Sequence, residues 1–257
     1  MLGSLPRKRY NRLVIFWETA VSTSLFRPIP ATGKQPAAVI FDLDKTLIDG
    51  NASILWTEYL YEKGFISDPS YRENDRAMAR EYRRGTLDIA AWISKYGSAI
   101  SSVPKELVDQ TAAAFADEKI APLAFRDGLD RIREAKEKGM AVLIVSASCA
   151  FLVRPIAVKV FGLAPEDAVG LELAVRNGAY QAEIEGTPSF QEGKIERARA
   201  ALEARGLKLE DAVFITDSRN DLPLAEAAGD CETVNPDHGL REIAMKKHWR
   251  VNSWIRW

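Results

Sequence analysis

From Ala37 onward, short apolar runs alternate with longer stretches in which apolar positions recur every three or four residues. Ala38–Leu43, Met140–Val145 and Ala212–Thr216 are runs of strand length that end in polar residues. Strands buried on both faces read this way, so the pattern predicts an α/β domain around a central parallel sheet. Between the first two runs, residues 49–122 show helical spacing at Ile54, Leu55, Tyr59 and Leu60, at Met78 and Tyr82, and at Ile89, Trp92 and Ile93. A simple crossover does not need so many residues. The stretch reads as a helical cap inserted after the first strand, leaving residues 37–48 and 123–257 as the core domain and residues 1–36 as an extension. The chain returns through Pro122 to a helix over Gly128–Lys138, with Gly139 as its stop.

Further along, Phe151–Phe161 reads as a helix. Val169–Val175 and Ala179–Ile184 flank Asn177-Gly178, which predicts a hairpin. Three more helices are expected over Ile195–Arg205, Leu222–Ala228 and Leu240–Lys247, with a last strand over Glu232–Val234.

Composition narrows the picture. The 257 residues, 47% of them hydrophobic, suffice for a substantial core. With 35 Lys and Arg against 36 Asp and Glu, the net charge of −1 excludes the strong positive field of a general nucleic-acid binder. Cys149 and Cys231 read as buried thiols, and neither they nor His238 and His248 form a metal-ligand cluster; this usage suits a reducing, cytoplasmic compartment. The head differs from the rest. Residues 1–36 carry Arg7, Lys8, Arg9, Arg12, Arg27 and Lys34 against Glu18, a net +5 that leaves −6 for the remainder. Its apolar run Leu13–Phe26 is interrupted by Glu18 and is shorter than the roughly 20 residues of a spanning helix. With Ile15, Phe16, Trp17 and Phe26 it could lie on an anionic membrane surface, serve targeting, or have no separate role. Oligomeric state is not legible.

The chemistry lies in the residues just past each strand. Asp42-Leu43-Asp44-Lys45-Thr46 comes after the first, Ser146-Ala147-Ser148 after the second, and Asp217-Ser218-Arg219-Asn220-Asp221 after the third. Ligands of open α/β sheets bind outside the carboxyl ends of the strands, so these groups should converge on one cleft. Like charges that close raise one another's pKa or demand a cation, and hard oxygen ligands suit Mg²⁺.

These residues, with Lys194 in Glu192-Gly193-Lys194, resemble the haloacid dehalogenase superfamily of phosphohydrolases, whose DxDxT loop, Ser or Thr, Lys and late acidic pair occur here in order. The resemblance covers roughly residues 37–257 and implies a Rossmann-like core with a C1 cap. It implies Asp42 as nucleophile and Asp44 as general acid and base. Lys194 would balance charge, and Ser146 and nearby backbone amides, that of Ala147 among them, would donate to the phosphate. Mg²⁺ would be held by Asp42, the Asp44 carbonyl and Asp217, with Asp221 as ligand or support. Thr46 could orient the phosphate or cap a helix, Ser146 could cap the next helix, and Ser148 reads as structural.

Ser53-Ile54-Leu55-Trp56 with Tyr59-Leu60, Gly85-Thr86-Leu87-Asp88 and Val234-Asn235-Pro236-Asp237 with Leu240 look most like subfamily IB, which includes phosphoserine-phosphatase-like, histidinol-phosphatase-like and lipid-phosphate-directed enzymes. Lys45 stands where phosphoserine phosphatases commonly have Ser, and the last motif lacks their glycines, which argues against that specificity. In the cap, Asp49, Glu58, Arg83 and Arg84 are candidates to meet the rest of the substrate, the arginines suiting a carboxylate or second phosphate. The expectation is a Mg²⁺-dependent phosphomonoesterase for a small ester. The alternatives are a lipid-phosphate phosphatase, a phosphotransferase to an alcohol, or a noncatalytic phosphate binder.

Overall fold

The computed structural model describes residues 35–255. The basic head, and any membrane contact made through it, therefore lies almost wholly outside the described residues. Six parallel strands form one sheet in the order β3-β2-β1-β6-β7-β8. The strands are β1 (Ala38–Phe41), β2 (Ala141–Cys149), β3 (Ala168–Leu171), β6 (Ala212–Thr216), β7 (Asp230–Val234) and β8 (Arg250–Asn252). β1 is central and its four side chains are buried, as a strand covered on both faces requires. One face, with Val39, Phe41 and Ile144, packs with Trp56, Phe115 and Ile156; the other, with Ile40, Leu143 and Phe214, packs with Leu202 and Leu224.

Between β1 and α5 (Arg126–Glu137) come α1 (Ala52–Glu62), α2 (Ser70–Arg84), α3 (Ile89–Ser98) and α4 (Lys105–Phe115), with a π turn over Ala116–Ile120 and a 3₁₀ turn over Ala121–Leu123. Their starts and stops have local causes. Asn51 caps α1 by accepting the Ile54 amide at 3.0 Å, and Asp88 caps α3 through the Ala91 amide. Gly85, at φ 71°, ends α2 in the left-handed conformation. The remaining helices are α6 (Ala150–Phe161), α7 (Gly193–Glu203), α8 (Leu222–Ala227) and α9 (His238–Lys247). Among the described residues no helix is long and apolar enough to cross a membrane.

Three elements differ from the sequence pattern. The second strand does not stop at Val145 but runs on to Cys149, because Cys149 pairs with Leu171 beyond a shift in register. The run Val169–Val175 is two strands: β3 in the parallel sheet and β4 (Leu173–Arg176), which pairs antiparallel with β5 (Ala179–Ile184). The hairpin closes at Asn177-Gly178, both at positive φ, as its sequence predicts. β8 has no counterpart in the sequence pattern; its three residues extend the sheet beside β7.

The hairpin packs on the helical insertion. The Lys105 amide donates to the Gly178 carbonyl at 2.8 Å, and the Tyr180 hydroxyl to Asp109 at 2.8 Å. Gly97 of α3 lies so close to β5 that a Cβ there would come within 2.8 Å of the Ala182 Cα.

Candidate active site

The parallel register brings the carboxyl ends of β1, β2 and β6 to one edge, and the expected groups meet there. Asp42 comes directly after β1 and is buried, its amide donating to the Ile215 carbonyl at 2.9 Å. Lys194 reaches it from the first turn of α7. Gly193 permits that approach: a Cβ at this position would lie 2.0 Å from the Pro188 carbonyl oxygen, so any larger residue would push the helix start away.

Lys194 is fully buried, its Nζ 2.8 Å from Asp42 Oδ1 and 2.7 Å from Asp221 Oδ1. The other oxygen of Asp221 accepts from the Thr216 hydroxyl at 2.7 Å. Asp221 thus has one oxygen on the lysine and the other on Thr216. Burial alone would lower the Lys194 ammonium, but Asp221 and Asp42 outweigh it and hold it above its ordinary value. Burial pushes the Asp42 carboxyl up to about 7 against the pull of Lys194, with Asp221 and Asp44 adding to the rise. Asp217 is raised well above the carboxylate range by burial and then by Asp42 and Asp221.

Asp44 is held differently. One oxygen accepts the Ala52 amide at the start of α1. The other accepts from the Ser148 hydroxyl at 2.7 Å and, more loosely, from Ser146 at 3.4 Å. Ser53 of α1 lies 3.1 Å from Ser148. Burial raises the Asp44 carboxyl, and these hydrogen bonds oppose it. Ser148, which reads as structural in the sequence, is therefore a direct partner of Asp44. The signal was present: positions 146 and 148 of an extended strand face the same side.

Thr46 donates to Asp217 Oδ1 at 3.3 Å. Lys45, between the two aspartates, adopts a left-handed φ of 61°, a conformation uncommon for a residue with a side chain. Asp42, Asp44, Lys45, Ala147, Ser148 and Asp217 floor a cavity of about 150 Å³. Its walls come from the insertion: Ile54, Met78, Tyr82, Leu87, Ile89 and Trp92, with Arg83 at one side. Arg84 lines a second, outer cleft. Glu58 is turned to Arg72 at 2.6 Å instead. In the sequence Tyr82 and Trp92 register as helical periodicity alone; their place in the cavity wall depends on how the insertion folds over the sheet edge.

Among the described residues no three His, Cys, Asp or Glu side chains form a ready-made metal cage. The donor set is a pair of carboxylates, the buried Asp42 and the half-buried Asp217, each raised in part by Asp221 and Asp217 also by Asp42. A divalent cation removes that repulsion, and Mg²⁺, which keeps several of its waters, fits a site with few protein ligands.

A six-stranded parallel sheet with these groups at its edge is the arrangement of a phosphoryl-handling α/β hydrolase. The chain belongs to the haloacid dehalogenase-like hydrolase family, whose pattern it matches over residues 39–226. It is a phosphatase of that family. It is similar to the histidinol-phosphatase of Neisseria meningitidis serogroup C, 31% identical over 82% of this chain and 96% of that one. The phosphoserine phosphatase of Methanocaldococcus jannaschii is 26% identical over 76% of this chain and 84% of its own. A crystal structure of a protein of unknown function from Bordetella pertussis Tohama I superposes with a TM-score of 0.75 at 30% identity, covering 85% of this chain and 98% of that one.

Proposed function

We infer that the protein hydrolyses a small phosphate monoester through an aspartyl-phosphate on Asp42, with Mg²⁺ as cofactor. The observation that carries this reading is the buried Asp42 carboxylate, paired with Lys194 at 2.8 Å and facing the cavity beside Asp44 and Asp217. Asp42 and Asp217, with the Asp44 backbone carbonyl, would hold Mg²⁺, which supplies charge neutralisation for the phosphoryl group.

An Asp42 oxygen attacks phosphorus, the phosphorus–oxygen bond to the leaving alcohol breaks, and that alkoxide takes the proton of Asp44. Water then attacks the aspartyl-phosphate, giving its proton back to Asp44 and releasing inorganic phosphate and the Asp42 carboxylate. Two environments divide the labour. Lys194, 2.8 Å from Asp42, favours its anion against the burial that raises it, while Asp44 has no such direct ion pair and is raised by burial against the hydrogen bonds that aim its carboxyl. Ser148 and the Ala52 amide fix the Asp44 carboxyl, and Ser146 orients the Ser148 amide at 3.0 Å. Asp221, fixed by Thr216, holds Lys194. The helical insertion acts as the cap that excludes water and selects the ester.

The test is phosphate release from phosphoserine, histidinol phosphate, glycerol phosphates, sugar phosphates and phosphatidylglycerophosphate, with Mg²⁺ or EDTA, for wild type and Asp42→Asn. We expect Mg²⁺-dependent release that falls by on the order of 10⁴ or more in Asp42→Asn. Undiminished release by that variant, or by wild type in EDTA, would overturn the mechanism.

A further inference from the structure

A wider cleft of about 460 Å³ adjoins the inner cavity at Tyr82. Both spaces have Lys45, Tyr82, Arg83 and Asp217 in their walls, so a molecule seated at Asp42 can extend from one into the other. The outer cleft carries four cations, Lys45, Arg83, Arg84 and Arg219. None of them has a carboxylate within ion-pair distance among the described residues, Lys45 lying only close enough to Asp217 to favour its anion, whereas Arg72, Lys105, Arg154 and Arg205 each meet a carboxylate. Of the acids in the same cleft, Asp217 belongs to the catalytic floor and Asp237 accepts the Leu240 amide at 2.8 Å as the cap of α9, while Glu192 is solvent-exposed like the four cations and pairs with none of them.

Basic residues in the last turn of a helix complement its dipole, which accounts for Arg83 and Arg84 in α2. It does not account for Lys45 and Arg219, which reach the same space from the core. The end of α2 is also fixed in place there. The Asn220 side-chain amide donates to the Tyr82 carbonyl at 2.8 Å, and the Tyr82 hydroxyl lies 3.1 Å from Ser218.

We propose that this cleft is an anion subsite, binding a carboxylate or a second phosphate on the same substrate molecule whose phosphoryl group sits at Asp42. Arg83 and Arg84 approach from the insertion, Lys45 and Arg219 from the core, so the bound anion bridges the two. The proposal rests on the phosphatase reading and narrows its substrate to esters with a second anionic group.

Phosphonates, which the enzyme cannot hydrolyse, test binding apart from turnover. Affinities of propylphosphonate, 3-carboxypropylphosphonate and propane-1,3-bisphosphonate are measured by calorimetry in Mg²⁺ for wild type, Arg83→Ala/Arg84→Ala and Lys45→Ala/Arg219→Ala. At least one of the two doubly anionic ligands is expected to bind wild type about tenfold tighter than propylphosphonate, the contribution of one charge-assisted hydrogen bond, and which one does so identifies the second group. That ratio should collapse in both double variants. The reading is a ratio within each protein, so a general loss of affinity through misfolding does not imitate it. Equal affinities in wild type, or a preference that survives both double variants, would overturn the subsite. Neither result bears on phosphate release from a simple ester, which judges the phosphatase reading separately.

Discussion

The floor and the wall of the cavity are built on opposite principles. On the floor, each charged group with an expected catalytic role is committed to a neighbour: Lys194 to Asp42 and Asp221, Asp221 to Thr216, Asp44 to Ser148 and the Ala52 amide, Asp217 to Thr46. On the wall, Ile54, Met78, Leu87, Ile89 and Trp92 offer shape and apolar surface, and Arg83 has no ion-pair partner among the described residues. A group that must hold a reacting atom needs its rotamer fixed by neighbours, whereas a surface that admits one ester and refuses another needs only complementarity. The floor can therefore stay constant while the wall changes.

Disrupting the floor should show the larger effect. Lys194→Met leaves Asp42 and Asp221 buried without their shared cation, and loss of one partner from a buried pair costs about 3–5 kcal/mol. Urea unfolding should record that loss, and the same substitution in an Asp42→Asn/Asp221→Asn background should cost much less. If the cost is the same in both backgrounds, packing rather than charge explains it.

Ser148→Ala separates positioning from stability within the floor. It removes a 2.7 Å donor to Asp44 without emptying the core, so stability should change by less than about 1 kcal/mol while kcat falls about tenfold or more. A change confined to KM would mean that Ser148 contacts substrate and does not position Asp44.

In the insertion the expected effect depends on pH. Asp75 of α2 is 4% exposed; its Oδ1 accepts weakly from the Trp92 indole at 3.4 Å, and its Oδ2 has no hydrogen-bond partner. Burial raises its pKa from 3.8 to about 6. A carboxyl raised in the folded state binds its proton more tightly there than in the unfolded chain, so folding loses stability as pH rises from about 3.8 to about 6 and the penalty persists above. Asp75→Asn should accordingly stabilise the protein by about 1–2 kcal/mol near pH 8 and by almost nothing near pH 4. Thermal unfolding at the two pH values measures this, and a gain of equal size at both would refute the electrostatic cause.

Much of the floor was legible because its chemistry sits at fixed offsets from strands. The runs ending at Phe41 and Thr216 announce Asp42, Asp44, Asp217 and Asp221 by position alone, and a parallel sheet leaves them one edge to share. What escaped has physical reasons. Ser146 to Cys149 are small and polar enough to resemble a loop, and only pairing with β3 keeps them extended. The apolar run around Leu171 to Val175 gives no local sign that Glu172 is where the chain leaves one sheet for another. Asp75 lies in the very polar helix SYRENDRAMAREYRR, where nothing in the pattern separates the one buried acid from its solvated neighbours. The outer cleft draws its four cations from three distant segments, and their gathering appears only once the chain is folded.

The hairpin has a kinetic consequence. By clasping α3 through Gly97 and α4 through Lys105 and Asp109, it ties the half of the insertion that carries Trp92 to the strand just after β3. The back of the cavity is thereby the more firmly tied side. Admission of substrate and escape of product are expected at the other half, where the hydrogen bonds of Tyr82 with Ser218 and Asn220 tie the end of α2 to the core. Bonds of this kind contribute about 1 kcal/mol each, so a gate closed by so few would open as a minor but regularly visited population, on the microsecond-to-millisecond scale of such motions. Turnover would then be limited by the chemistry on the floor or by release past Tyr82, and not by slow unlatching of the whole insertion.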